Sequence, residues 1–266
     1  MKKPKLGQNF LVDDAARHAI VDGLGETSGR TVIEIGPGHG AITEILAGRC
    51  RRLIAIELDR ALAAELRFRF RAQPQVEIVE ANVLEADFAA LVPPGETADV
   101  VGNLPYYITS EILLRLFAAG ARGTLARAVL MVQREVADRL AAAPGVRDYG
   151  LLSATAQMNA RVEALFTLPP TAFAPPPDVF STVLRLEFAP RFRELGVDAA
   201  GFDAFLKVCF AQKRKTLANN LRAAGCSPEH IQAAWPAEIP PQARAESIAL
   251  EPMAGLYRAL AQASKS

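Results

Sequence analysis

The stretch Thr31-Val32-Ile33-Glu34-Ile35-Gly36-Pro37-Gly38-His39-Gly40 limits the possible folds more than any other part of the chain. Its β-branched, mostly apolar start has the composition of a short buried strand. Three glycines in five positions then make a turn in which backbone can approach a ligand closely. Ile42, Ile45 and Leu46 recur on one face of the helix expected next. Strand, glycine turn and helix open a doubly wound sheet, whose ligands bind at the carboxyl ends of the strands. The spacing Gly-X-Gly-X-Gly departs from the dinucleotide fingerprint Gly-X-Gly-X-X-Gly. It points away from a pyrophosphate and toward S-adenosylmethionine, with Gly36 and Gly38 against its methionine and ribose parts. His39 reads as an exposed loop residue.

Further strand-like runs follow at Leu53–Ile56, Val76–Val79, Ala98–Val101 and Ala128–Val132. Glu57 ends the first of these, where a carboxylate can accept both ribose hydroxyls; the alternative is an i,i+3 pairing with Arg60. The arginines of the helix from Arg60 to Arg71 read as a solvated face. Asn82 lies past the second run, in reach of the cofactor's adenine edge. Residues 161–166 and 181–188 alternate and are expected to pair. Near Pro190 the α/β pattern stops, and from Gly201 onward the periodicity is helical. The expected fold is α/β: a Rossmann-like methyltransferase sheet, doubly wound, in residues 1–190, with an irregular basic arm at 1–12. A small all-helical C-terminal domain is expected at 200–266.

Gly102-Asn103-Leu104-Pro105-Tyr106 follows the Ala98–Val101 strand. Pro105 lacks an N–H and biases Leu104 away from helical geometry, so the Leu104 carbonyl is expected to point outward. Asn103 adds a side-chain carbonyl beside it. Two neighbouring acceptors suit an NH₂ group, and Tyr106 offers a flat face to the attached ring. An aryl amine is a poor nucleophile because its lone pair is delocalised. Gripping its hydrogens aims that lone pair at an electrophile, so positioning carries the catalysis. Taken alone, the tetrad reads more simply as a turn after a strand; the glycine turn upstream changes that reading. Phe173 precedes Ala174 and three prolines, Pro175, Pro176 and Pro177, which stiffen the loop. Its ring is either an exposed stacking platform for a flipped base or a packing group beneath the loop.

The formal net charge of +1 advertises no global field for nucleic acid, so any basic contact is local. Lys213, Arg214, Lys215 and Arg222, with Lys2, Lys3 and Lys5 in the arm, are solvated charges or phosphate contacts at separated points. Three scattered cysteines, Cys50, Cys209 and Cys226, show no metal spacing and suit a reducing cytoplasm. The basic start leads into Gly7-Gln8-Asn9 and not into an apolar stretch, so no signal peptide is expected, and no apolar run is long enough for a membrane.

Gln8-Asn9-Phe10-Leu11, Glu34 to Gly40, Glu57, Asn103-Leu104-Pro105-Tyr106, Phe173 to Pro177 and Lys213-Arg214-Lys215-Thr216-Leu217 occur in one order. In that order the chain resembles the ribosomal RNA adenine dimethyltransferases over nearly its whole length. The resemblance implies that Asn9, Leu11, Gly36, Glu57, Asn82 and Asn103 contact S-adenosylmethionine, and that Tyr106 and Phe173 sandwich the target adenine. It implies dimethylation of two adjacent adenosines near the 3′ end of 16S rRNA on the immature 30S subunit, by a monomer without a metal, leaving S-adenosylhomocysteine. The family usually carries Asp where this chain has Asn82, which implies weaker cofactor binding. The alternatives are a 23S rRNA target, a mainly non-catalytic assembly factor, or a DNA adenine methyltransferase.

Overall fold

The computed structural model describes residues 9–263. Its nine strands, in chain order, are β1 (Phe10–Leu11), β2 (Thr31–Ile35), β3 (Arg52–Glu57), β4 (Val76–Glu80), β5 (Ala98–Asn103), β6 (Leu125–Gln133), β7 (Ala160–Leu168), β8 (Phe173–Ala174) and β9 (Ser181–Phe188). Two compact units emerge: residues 1–137 with 161–188, and residues 138–160 with 189–266.

The first unit holds a seven-stranded sheet in the order β4-β3-β2-β5-β6-β9-β7. Strands β2 to β6 run parallel and β9 is antiparallel to β6. All five residues of β2 are buried, as expected for a central strand covered on both faces. The chain winds outward from β2 to β4, then returns to place β5 on the other side of β2. This reversal opens a crevice past the carboxyl ends of β2 and β5. Gly102 sits opposite Ile35 there, and a Cβ on it would lie 2.8 Å from the Ile35 carbonyl oxygen. That contact explains why the residue before Asn103 carries no side chain.

Asp99, near the opposite ends of these strands, is fully buried. Arg30 grips it through Nε and through an NH₂ 2.9 Å from Oδ1, and Arg127 Nε lies 3.2 Å from the same oxygen. Two guanidinium groups thereby compensate a carboxylate that burial alone would penalise.

The first eight residues expected in the arm lie outside the described residues, but its end is not irregular. Phe10 and Leu11 pair antiparallel with Ala174 and Phe173. Asp13 caps the helix Asp14–Asp22 by accepting from the Ala16 N–H.

The second unit is helical, as expected after Pro190, but it also takes in residues 138–160. The helix Leu151–Asn159 and the loop before it supply Tyr149, Ala154 and Met158 to the same core as Phe202, Leu206, Leu221 and Leu256. The sequence boundary missed this because residues 138–160 lie between two strands of the sheet. Asp198, Thr216 and Ser227 cap the helices starting at Ala199, Leu217 and Pro228. Among the described residues no helix is long and apolar enough to cross a membrane.

Candidate functional site

A cavity of about 370 Å³ lies in the crevice of the first unit, within the size range of small-molecule sites. Asn9, Leu11, Gly36, Gly38, Glu57, Asn82, Asn103, Leu104, Pro105 and Tyr106 all line it. The sequence-expected cofactor residues therefore converge on one space.

Glu57 closes the end of β3, and its side chain is buried. Gly38 N–H donates to Oε2 at 3.1 Å and Asp59 N–H to Oε1 at 2.8 Å. Two backbone donors thus orient the carboxylate, and each oxygen keeps a lone pair for a hydroxyl donor. Gly38 has φ of +59°, and a Cβ there would meet the Phe10 ring at 2.9 Å. The glycine turn is accordingly both conformationally committed and roofed by an aromatic ring. The same ring packs on His39, with centroids 4.6 Å apart, and His39 Nδ1 lies 3.3 Å from Glu65.

Asn103 turns toward the cavity. Its Nδ2 donates to the Asn9 carbonyl at 3.0 Å. Only the NH₂ end of an amide can donate, so this bond leaves Oδ1 as the free acceptor. Leu104 is anchored by its buried side chain and by its N–H, which donates to the Met131 carbonyl at 3.0 Å. The following turn closes on the Pro105 carbonyl, which accepts from Ile108 N–H and Thr109 Oγ1. The Leu104 carbonyl stays out of that turn. Tyr106 Oη and Ser181 Oγ are 2.8 Å apart. Burial raises the Tyr106 phenol pKa, and the Ser181 bond partly offsets it.

Asn82 is occupied locally. Its Oδ1 accepts from Leu84 N–H at 3.0 Å, and its Nδ2 donates to Glu85 at 3.1 Å. An exposed carboxylate thus stands where it would repel an Asp at position 82.

Phe173 is the correction. It is 3% exposed, packed with Leu11, Leu168, Ala172 and Val183, and does not line the cavity. The prolines do fix the loop, but pairing of β8 with β1 turns the ring into the core, so Phe173 is no stacking platform in this structure. Lys213, Arg214 and Lys215 are exposed in the turn before the helix Leu217–Ala223 of the second unit. Lys213 Nζ donates to the Arg147 carbonyl at 3.3 Å and Arg222 to Asn219 at 3.0 Å. Lys2, Lys3 and Lys5 lie outside the described residues.

Sequence reasoning passed over Glu34 and Arg17. Glu34 is buried in the cavity wall, and its Oε2 has no hydrogen-bond partner among the described residues. Burial pushes its pKa up to about 7; the nearby polar groups of Thr43 oppose the shift and the Glu57 charge adds to it. The available signal was a lone acid inside an otherwise apolar strand. Arg17 also lines the cavity, and its guanidinium donates to the Leu11 carbonyl at 3.0 Å.

The sequence pattern described as Ribosomal RNA adenine dimethylase matches residues 1–262. The chain belongs to that family. Its enzymes add methyl groups to adenine in ribosomal RNA, which is the activity of this chain. Among its relatives, a Ribosomal RNA small subunit methyltransferase A from Acidobacterium capsulatum is 60% identical, over 97% of this chain and 91% of the relative. A protein of the same name from Koribacter versatilis is 52% identical, over 97% and 94%. A dimethyladenosine transferase from Plasmodium falciparum shares the fold at TM-score 0.80, with 23% identity over 96% of this chain and 98% of that one. The 23S rRNA methyltransferase ErmE aligns at TM-score 0.72, with 27% identity over 96% and 100%.

Proposed function

We propose that this dimethylase transfers methyl groups from S-adenosylmethionine to N6 of two adjacent adenosines in the hairpin near the 3′ end of 16S rRNA. The observation that carries the chemistry is the Asn103 amide, whose oxygen is left facing the cavity by its bond to Asn9. The cavity residues fit the cofactor. Glu57 is preset for a diol, Gly38 leaves backbone accessible, and the partnerless Glu34 oxygen suits a cationic ligand.

When bound, S-adenosylmethionine supplies an electrophilic methyl on positively charged sulfur. The chain's own part is positioning. Asn103 Oδ1 and the Leu104 carbonyl accept the two amine hydrogens, which turns the nitrogen lone pair into the cavity. Tyr106 supports the face of the ring. The new N–C bond would form as the methyl–sulfur bond breaks, with its electron pair left on sulfur in S-adenosylhomocysteine and the amine's proton released to water; a second round on the monomethylated amine gives the dimethyl product.

A small-subunit target is supported by the relatives at 60% and 52% identity, which carry that name, whereas the 23S enzyme is 27% identical. The exposed bases of the second unit, Lys213, Arg214, Lys215 and Arg222, are assigned to RNA phosphates of the immature 30S subunit, with Lys2, Lys3 and Lys5 as a second point. Their role in subunit biogenesis, in the cytoplasm and as a monomer, belongs to the same proposal. The test is incubation with labelled S-adenosylmethionine and unmethylated small subunits, followed by mapping of modified bases. Two adjacent dimethyladenosines near the 3′ end are expected. Small subunits that stay unlabelled, while 23S rRNA or DNA offered in parallel incubations takes up the label, overturn the proposal.

A further inference from the structure

With Phe173 in the core, the mouth of the cavity still carries aromatic surface. Tyr107 lines the cavity and is 61% exposed. It belongs to the short turn Tyr106–Ile108, so its ring stands one residue from the ring assigned to the target base. Phe180 is 46% exposed and Val179 next to it 42%. Phe180 immediately precedes Ser181, whose hydroxyl is bonded to Tyr106. That bond ties together two segments far apart in sequence, each presenting a large aromatic ring to solvent. The Phe180 backbone is fixed as well, because its carbonyl accepts from the Arg134 N–H at 3.0 Å. Two exposed rings on fixed backbone thus stand close in the fold to a site for a single base. Unpaired bases bind such rings by stacking, whatever their sequence.

We infer that Tyr107 and Phe180 form a stacking rim for the unpaired nucleotides flanking the target adenosine, Tyr107 taking the immediate neighbour. This rests on the reading of the cavity as an adenine-methylating site. It adds a reason why the target must be unpaired on either side, which the clamp on N6 does not supply. A base lifted into the cavity leaves its neighbour without a stacking partner, and the Tyr107 ring replaces that partner.

The test uses the full-length protein and small subunits reconstituted with 16S rRNA in which the nucleotide next to the target is either intact or abasic. On intact particles, Tyr107→Ala is expected to raise KM for the particle roughly tenfold. Its kcat at saturation is expected to change far less than its KM, and Tyr107→Phe is expected to restore KM. Phe180→Ala is expected to act in the same direction. On abasic particles the wild-type KM is expected to rise to that of Tyr107→Ala, so that the variant loses nothing more. An undiminished Tyr107→Ala defect on abasic particles, or a wild-type KM indifferent to the missing base, overturns the inference. Failure of the wild type to methylate intact particles is a different result: it removes the functional reading first, and the rim with it.

Discussion

Replacing Glu34 by Gln should change how the stability of the ligand-free protein depends on pH. The carboxyl is buried beside Thr43 and Glu57, and its pKa is raised from 4.5 to about 7. In the unfolded chain it titrates at its ordinary value. Between these two values the unfolded state releases a proton that the folded state keeps, so wild-type stability falls as pH rises. A shift of this size amounts to a loss of about 3 kcal/mol once pH exceeds 7, at about 1.4 kcal/mol per pH unit. Little of that loss has developed below pH 4.5. Gln keeps the shape and removes the titration. Urea unfolding of both proteins at pH 5 and pH 8 isolates the effect, because all other titrating groups cancel in the double difference. The variant should gain roughly 2 to 3 kcal/mol on the wild type between those two pH values. A difference that stays constant from pH 5 to pH 8 refutes the reasoning. A cationic ligand favours the ionised carboxylate, so wild-type affinity for S-adenosylmethionine should rise through pH 7 and that rise should vanish in Glu34→Gln.

Three other substitutions test the remaining parts of the site and fold. Asn103→Ala should lower single-turnover methyl transfer about a hundredfold or more while particle binding persists, and near-normal turnover would contradict the clamp. Asn82→Asp alone should gain little cofactor affinity, because Glu85 lies within 3.1 Å of the substituted atom; combined with Glu85→Gln it should tighten binding, as read by calorimetry. Asp99→Asn should cost about 2 to 3 kcal/mol in denaturant unfolding by removing the charge shared by Arg30 and Arg127, both partly exposed, with cofactor affinity unchanged.

The strands of the parallel sheet were legible because each is a run of β-branched and aliphatic residues ending at glycine or a polar residue. Glu57 and Asn103 were legible for the same reason, since each is the first polar group past such a run. Glu34 was not, because both faces of β2 are buried and alternation offers no contrast there. Phe173 misled because proline content speaks to the stiffness of a loop and not to what covers it. Its covering strand comes from residues 10–11, a pairing that no local pattern announces. The bond between Asn9 and Asn103 is equally non-local, and it decides which end of the amide proposed to grip the substrate is left free. The helical unit was recognised by its periodicity, but the contribution of residues 138–160 was hidden inside the span of the sheet.

The short ladder between Phe10–Leu11 and Phe173–Ala174 has a consequence for the newborn chain. As the polypeptide leaves the ribosome, the glycine turn and the clamp emerge early, yet the piece that docks the amino-terminal segment comes much later. Until then the Asn9 carbonyl lacks the support of that ladder against Asn103. A partly synthesised copy can therefore build the parallel strands of its sheet before its amino-terminal segment is paired.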